Sequence, residues 1–403
     1  MENKVFCSKP FKEIFNHPEL NYAPCCWAYP ASKENPNTRL PIDHFNGEDF
    51  KRLRREMLQG KKTDFLCSYC KYCYDREDEN IESPRMKNAN ISKTILDSFN
   101  ADGSLKPNQN KFINIAINAY GDNCNLECYG CNPLVSTSRK SAMDKLHNQI
   151  IDNNIDILDF YGNLKYKCFD KSESVKFEDI VDQIVEYADN ISSLTIVGGE
   201  PMLMKKHFIL LDKLIEVNKS RNITLNYVSN MTLMNLNNMK IYFENFSKTN
   251  IQWSVDALGE RNYWLRYPTN WEQTTKNVFE IEKYFNTYKK GSIFATITPS
   301  MLGIITLRKT YNWLLTRNLI NKKDPIINLM VKPELLRTRN LPEEIKNNIK
   351  YDIKIISELH YEDLIKPRND TQFKLAIKYF DLLDKSRGTD WRSTFPEVAK
   401  YAN

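Results

Sequence analysis

The run Asp122-Asn123-Cys124-Asn125-Leu126-Glu127-Cys128-Tyr129-Gly130-Cys131 constrains this chain more than any other. It puts three thiols in one short loop, with three residues and then two between them. Thiolates are soft ligands that select zinc or iron–sulfur clusters over magnesium or calcium. A structural zinc site closes with four protein ligands, and no fourth Cys or His stands nearby. Three thiolates leave one metal position open, and an open position is where chemistry can happen. Ahead of the loop, Phe112–Asn118 alternates in hydrophobicity like a strand, so the cysteines are expected at a strand's C-terminal end.

At 403 residues the chain exceeds one ordinary domain. Its 41% hydrophobic and 27% charged residues describe a globular protein rather than a disordered one. No apolar run approaches membrane-spanning length, and Met-Glu-Asn-Lys-Val-Phe is no signal peptide, so a cytoplasmic location and no membrane contact are expected. In that compartment ten cysteines stay reduced, and their clustering points to metal rather than disulfides. The net charge of +6 is a weak argument for nucleic acid. The densest basic run, Lys51-Arg52-Leu53-Arg54-Arg55, reads as a solvated helix face ahead of a binding patch. Only five histidines occur, which removes most Ser-His and Cys-His schemes.

A second cysteine group fills the first hundred residues: Cys7, then Cys25 and Cys26 after Pro24, then Cys67, Cys70 and Cys73. Cys67 and Cys70 have the spacing with which two thiolates clamp one metal from a tight turn. Phe45–Leu58 between the groups reads as an amphipathic helix with Phe50, Leu53, Met57 and Leu58 on one face. Asn80–Asn110 reads as a connector rich in Asn, Ser and Lys. Six strands are then predicted, at Phe112–Asn118, Leu194–Gly198, Ile223–Ser229, Ile251–Val255, Ser292–Thr298 and Ile326–Val331. Helical patterns separate them, which implies an α/β fold with a parallel sheet. Ile151–Ser174 is an unassigned insertion whose Cys168 reads as a packed thiol. Helices are expected after Val331, at Glu343–Leu359, Asp370–Lys385 and around Pro396–Tyr401.

Parallel α/β barrels carry their sites at the C-terminal strand ends, and the predicted ends are informative. The second is followed by Gly198-Gly199-Glu200-Pro201, the third by Asn230, and the fourth by Ser254-Val255-Asp256-Ala257, with Arg266 beyond. The three-Cys loop and the downstream Gly-Gly-Glu-Pro together resemble the radical S-adenosylmethionine enzymes. The resemblance implies a partial (β/α)6 TIM-like barrel over residues 107–333. It implies that Cys124, Cys128 and Cys131 hold a [4Fe–4S] cluster whose fourth iron is chelated by S-adenosylmethionine. By the same resemblance Gly198, Gly199, Glu200 and Pro201 bind the cofactor's amino group, and Asn230 lies near it. Ser254 and Arg266 would contact its carboxylate, and Asp256 would lie near the ribose.

One departure concerns the residue before the third cysteine, usually bulky in that family and here Gly130. The first 106 residues resemble a "twitch" domain, a shortened SPASM domain with an auxiliary [4Fe–4S] cluster, as in phage-linked members of the family. The favoured auxiliary ligands are Cys7, Cys25, Cys67 and Cys70, with Cys73 as substitute and zinc as the competing metal. Residues 334–403 form the helical remainder. The implied activity is a 5′-deoxyadenosyl radical that takes hydrogen from substrate, with flavodoxin or ferredoxin as the kind of electron donor. A peptide or protein is the favoured substrate, and a small hydroxylated metabolite or nucleotide the alternative. A metal-stapled nucleic-acid-binding protein is the reading from another class.

Overall fold

In the computed structural model the described residues are 5–16, 22–28, 40–78, 82–106, 113–118, 121–155, 176–323 and 325–402. Their strands are β1 (Glu13–Asn16), β2 (Tyr22–Ala23), β3 (Ile113–Asn118), β4 (Ile191–Val197), β5 (Thr224–Ser229), β6 (Lys248–Ser254), β7 (Gly291–Ile297) and β8 (Ile326–Ile327). They lie in one sheet in the order β2-β1-β3-β4-β5-β6-β7-β8. All neighbours from β1 to β8 are parallel, and only β2 runs against β1. The six predicted strands therefore occur, in order and parallel. Burial alternates along β5 and β6, as the two-residue period of a strand requires.

Helices lie between successive strands from β2 to β8, turning apolar stripes inward. Lys205–Glu216 buries Leu210, Leu211 and Leu214, and Trp271–Tyr288 buries Val278, Ile281 and Phe285. A helix that the sequence reading passed over, Thr137–Asp152, begins just after the cysteine loop. Its signals were present: Ser136 caps its N-terminus, and Ala142, Met143, Leu146 and Ile150 repeat at helical spacing and are buried. The insertion and Cys168 lie outside the described residues, apart from the end of this helix and the turn to 155. No helix among the described residues is long and apolar enough to cross a membrane.

Four expectations need correction. First, the N-terminal region joins the sheet: Glu13, Ile14 and Phe15 of β1 pair with Asn114, Ile115 and Ala116 of β3. A four-residue strand is too short to announce itself by alternation. Second, the supposed connector contains the helices Pro84–Lys87 and Lys93–Leu96. Its serines act as N-caps, Ser83 accepting from the Met86 amide and Ser92 from that of Ile95. Third, β8 is only two residues long, and the chain beyond it turns Met330 onto Gly130 of the cysteine loop.

Fourth, Arg54 of the basic run is fully buried. Its guanidinium donates to the carbonyls of Pro10 (2.9 Å), Gly103 (2.9 Å) and Phe45 (2.6 Å). It also lies 4.0 Å from the Phe45 ring centroid. Burial pulls its pKa down to about 9. This cation staples three chain segments together, while Leu58, expected on the buried face, is exposed.

The tail is helical as expected. Glu343–Leu359 divides at Ser357 into Glu343–Ile356 and Glu358–Leu364. The helix Asp370–Arg387 ends on Gly388, whose left-handed backbone (φ +67°) is the usual stop for a helix. One apolar core runs from Phe11, Ile14 and Phe45 through the sheet to Phe380 and Trp391.

Candidate cofactor and metal site

The cysteine loop beyond β3 is held by partners from across the chain. The Glu127 and Tyr129 amides donate to the carbonyls of Tyr267 (2.6 Å) and Leu265 (3.1 Å). Its own carbonyls face side-chain donors. Ser138 donates to Cys124, Ser136 to Leu126 (3.4 Å), Arg387 to Glu127 and Arg139 to Tyr129 (2.7 Å). The loop's backbone groups are thus satisfied by partners from other parts of the chain.

Three strand ends meet this loop. After β4, a Cβ on Gly199 would sit 2.3 Å from the Asn123 carbonyl oxygen and 2.6 Å from that of Asp122. Only glycine permits that approach, and the Glu200 amide then donates to the Asn123 carbonyl at 2.7 Å. What the glycine backbone approaches is thus the cysteine loop itself. Pro201 opens a short turn behind it.

Glu200 is fully buried. One carboxylate oxygen accepts from the Ser229 hydroxyl (2.8 Å) and the other from the Asn230 amide (2.8 Å). Burial pushes its pKa up to about 7, while the bonds from Asn230, Ser229 and Met202 and the charge of Arg266 pull the other way. After β5, the Asn230 amide group donates to Asn125 of the loop (3.0 Å), and Asn125 donates to Thr232 (2.8 Å). Beyond β6, Arg266 donates to Asp256 at 3.0 Å, and Asp256 also accepts from the Thr298 amide at 3.0 Å. Ser254 is the last residue of β6 and is half-buried.

Burial raises all three thiols of the loop: Cys124 to about 11, Cys131 to about 12, and Cys128 upward as well. Cys128 adds to the rise of the other two, and Arg266, Arg387 and Arg139 oppose that of Cys128. Burial thus favours the protonated thiols, and a metal binding there as thiolate complex would displace protons. The three thiols are half-buried, and the positive charges of Arg266, Arg387 and Arg139 act on Cys128, which suits an anionic metal–thiolate group. Among the described residues no three His, Cys, Asp or Glu side chains converge on a single metal-ion position.

The departure at Gly130 has a structural counterpart. A Cβ there would meet the Met330 terminal methyl at 2.6 Å, so Met330 fills the space that a bulky residue would take. Tyr129 faces the other way. Its ring lies edge-on to Trp264 (5.3 Å) and Phe380 (6.1 Å) in the core.

The N-terminal cysteines surround a second feature, a cavity of about 220 Å³ lined by Cys7, Cys25, Cys26, Cys70 and Cys73. Cys67 is not in its wall, although it lies one helical turn before Cys70. Burial raises Cys7 and Cys26 to about 11, and raises Cys25, Cys70 and Cys73. Lys9 and Arg85 supply positive charge to the same wall. Arg85 is held there by Glu77 (3.0 Å from its Nε). Trp27, also in the wall, stacks on Tyr72 with ring centroids 4.5 Å apart.

Sequence reasoning did not single out Arg139, Ser229 or Asn125. Asn125 and Ser229 adjoin residues that it did single out, but no local pattern marks a buried arginine far along the chain.

No protein-family profile matches this chain, and no curated protein does. Solved structures that align with it include native anSMEcpe with bound AdoMet, at TM-score 0.35 and 17% identity over 54% of this chain and 51% of that one. The same protein with AdoMet and Cp18Cys peptide aligns at 0.35 and 16%, over 54% and 50%. With Kp18Cys peptide the values are 0.34 and 15%, over 54% and 50%. The chain thus spans about half the length of the structures it matches. Similarity at this level assigns no role to any residue of this chain.

Proposed function

We propose that the chain is a radical S-adenosylmethionine enzyme built on a partial parallel barrel, with its cluster on Cys124, Cys128 and Cys131. The observation that carries the reading is the direct bonding of the Gly199-Glu200 turn and of Asn230 to the three-cysteine loop. The turns follow the adjacent parallel strands β4 and β5 and bond to the loop beyond β3, which places their polar groups beside the thiols. When bound, the cluster and S-adenosylmethionine supply reductive cleavage of a carbon–sulfur bond and a 5′-deoxyadenosyl radical that takes hydrogen from substrate.

The chain's own residues do the positioning. Glu200, fixed by Ser229 and Asn230, offers a carboxylate to an ammonium group. Arg266, fixed by Asp256, offers a guanidinium to a carboxylate. Gly198 and Gly199 bring backbone close, and Ser254 adds a hydroxyl at the end of the neighbouring strand.

The cavity supports a second metal group on Cys7, Cys25, Cys70 and Cys73, with Cys26 as the competing ligand. This replaces Cys67 with Cys73, the substitute in the sequence reading. An auxiliary [4Fe–4S] cluster is favoured over zinc on the strength of the twitch resemblance. A peptide or protein substrate and an external donor such as flavodoxin or ferredoxin follow from the same resemblance. Anaerobic reconstitution with iron, sulfide and zinc analysis, then an assay for 5′-deoxyadenosine, tests the reading. Reconstituted protein without iron on the loop, or without 5′-deoxyadenosine, refutes it. Of the basic run only Arg54 serves the interior, while Lys51, Arg52 and Arg55 keep exposed surface, as a solvated helix face would.

A further inference from the structure

The helices between the strands pack on one face of the sheet. Tyr227 of β5 meets His207 of the helix Lys205–Glu216, with ring centroids 5.8 Å apart. Trp253 of β6 meets Trp271, the first residue of Trp271–Tyr288, at 5.9 Å. Side chains alternate along a strand, so Asn226, Val228, Gln252 and Ser254 point to the other face. Those four are half-buried, whereas Tyr227 and Trp253 are each 1% exposed.

Strand register orders this other face into rows. In one, Thr195, Asn226, Asn250 and Ser292 are successive neighbours. Asn226 donates to Thr195 (3.3 Å), Asn250 to Asn226 (3.0 Å) and Ser292 to Asn250 (3.0 Å), so the row is closed on itself. The next row towards the strand ends is Val228, Gln252 and Phe294. Val228 and Phe294 are half-buried and stand outside the apolar core. The Gln252 carboxamide has no hydrogen-bond partner among the described residues. Ser254 follows two residues on, roughly 6.6 Å nearer the strand ends.

In a parallel barrel this face is ordinarily filled with layers of branched apolar side chains. Here one unanswered carboxamide lies between two apolar neighbours, and a few placed polar groups on an apolar wall make a ligand pocket. A carboxamide presents donor and acceptor side by side. A second primary carboxamide answers both at once. A trans peptide amide holds its N–H and C=O on opposite sides and answers one. None of the side chains named in these rows is charged, so a carboxylate or ammonium would lose its water without gaining a counter-charge.

We propose that Gln252 selects the substrate by pairing with a primary carboxamide, the group carried by an Asn or Gln side chain of a peptide. The inference rests on the site proposed above, which places S-adenosylmethionine at the strand ends, and it names the substrate chemistry one pleat below. The closed row beneath Gln252 then forms the floor of the substrate site.

The test is a ligand-observed saturation-transfer NMR titration of the full, reconstituted chain with S-adenosylmethionine and no reductant. The probes are propionamide, N-methylacetamide, propionate, propylammonium and propane-1,2-diol. Leaving a buried polar group unpaired costs about 1–3 kcal/mol, so propionamide should bind the parent at least about fivefold more tightly than each of the others. Gln252→Met, of similar length, should lose that preference. Gln252→Glu should invert the order in favour of propylammonium, which a merely structural role for Gln252 would not do.

Equal binding of propionamide and the other probes by the parent, or a preference that survives Gln252→Met, overturns the proposal. Should Gln252→Met fail to fold, an order of affinities unchanged in Gln252→Glu overturns it by itself. Failure of the radical reading shows itself differently, as absence of 5′-deoxyadenosine from the reduced parent whatever the probes do.

Discussion

The two cysteine sites are built on opposite plans. The loop at 124–131 gathers its thiols within eight residues and recruits the rest of the molecule to hold them still. The N-terminal cavity draws cysteines from three separate segments around a space that the chain itself does not fill. In the first, partners from elsewhere in the chain hold the backbone of a single short segment. In the second, three segments must come together before their thiols share a wall, so a metal bound there, as proposed, would contribute folding free energy.

The sharpest way to break this contrast is to remove ligands from the loop. Cys124→Ala, Cys128→Ala and Cys131→Ala should each abolish 5′-deoxyadenosine formation and leave circular dichroism unchanged. Turnover surviving in any of the three would show that the loop is not the radical centre.

At the cavity the expected effects are on metal content and stability together. The parent should carry about eight irons if both sites hold [4Fe–4S] clusters. Cys73→Ala should fall to about four and melt at lower temperature, whereas Cys67→Ala should retain both groups. Iron loss in Cys67→Ala alone would restore the spacing-based ligand set over the one that the cavity wall supports.

Smaller and pH-dependent is Glu200→Gln. A charge-assisted hydrogen bond is worth roughly 1.5–3 kcal/mol, so S-adenosylmethionine should bind about 10- to 150-fold more weakly, with iron content intact. The folded carboxyl titrates at about 7 against an ordinary 4.5, so the folded state binds more protons between those values. This group's contribution to stability therefore falls as pH rises from 4.5 towards 7 and is level above that. An ammonium ligand needs the ionised form, so affinity should rise with pH up to about 7. Calorimetry on both proteins should show that slope lost in Glu200→Gln, and parallel slopes would remove Glu200 from cofactor binding.

Least disruptive is Gly130→Ala. The obstructing atom is the end of a flexible Met330 side chain, and moving it off its rotamer costs of the order of 0.5–1.5 kcal/mol. A modest drop in melting temperature with unchanged iron is expected, and complete loss of the loop cluster would mean that the backbone itself cannot yield there.

How much of this could be read in advance follows the same contrast. The three-cysteine loop, Gly-Gly-Glu-Pro and the strand ends were legible because their signals lie within a few neighbouring residues. The six parallel strands were legible through alternation and through the helices between them. The cavity was legible only as a count of cysteines, since which of them face one another depends on how 7, 25–26 and 67–73 fold together. Strand β1 was too short to show a period. Arg54, Arg139 and Arg387 were the hardest to read, because an arginine that bonds to carbonyls across the core looks in sequence like any surface charge. Asn, Ser and Lys between 80 and 106 suggested a linker because capping residues and linker residues are the same types.

The pairing of β1 with β3 sets an order of assembly. Glu13 must wait for Asn114 to leave the ribosome before its strand has a neighbour, and closing so long a loop is entropically costly and slow. The first strand of the central parallel run is therefore a late joiner of its own sheet: although Glu13–Asn16 is made early, it has no parallel neighbour until the segment leading into the cysteine loop has been made.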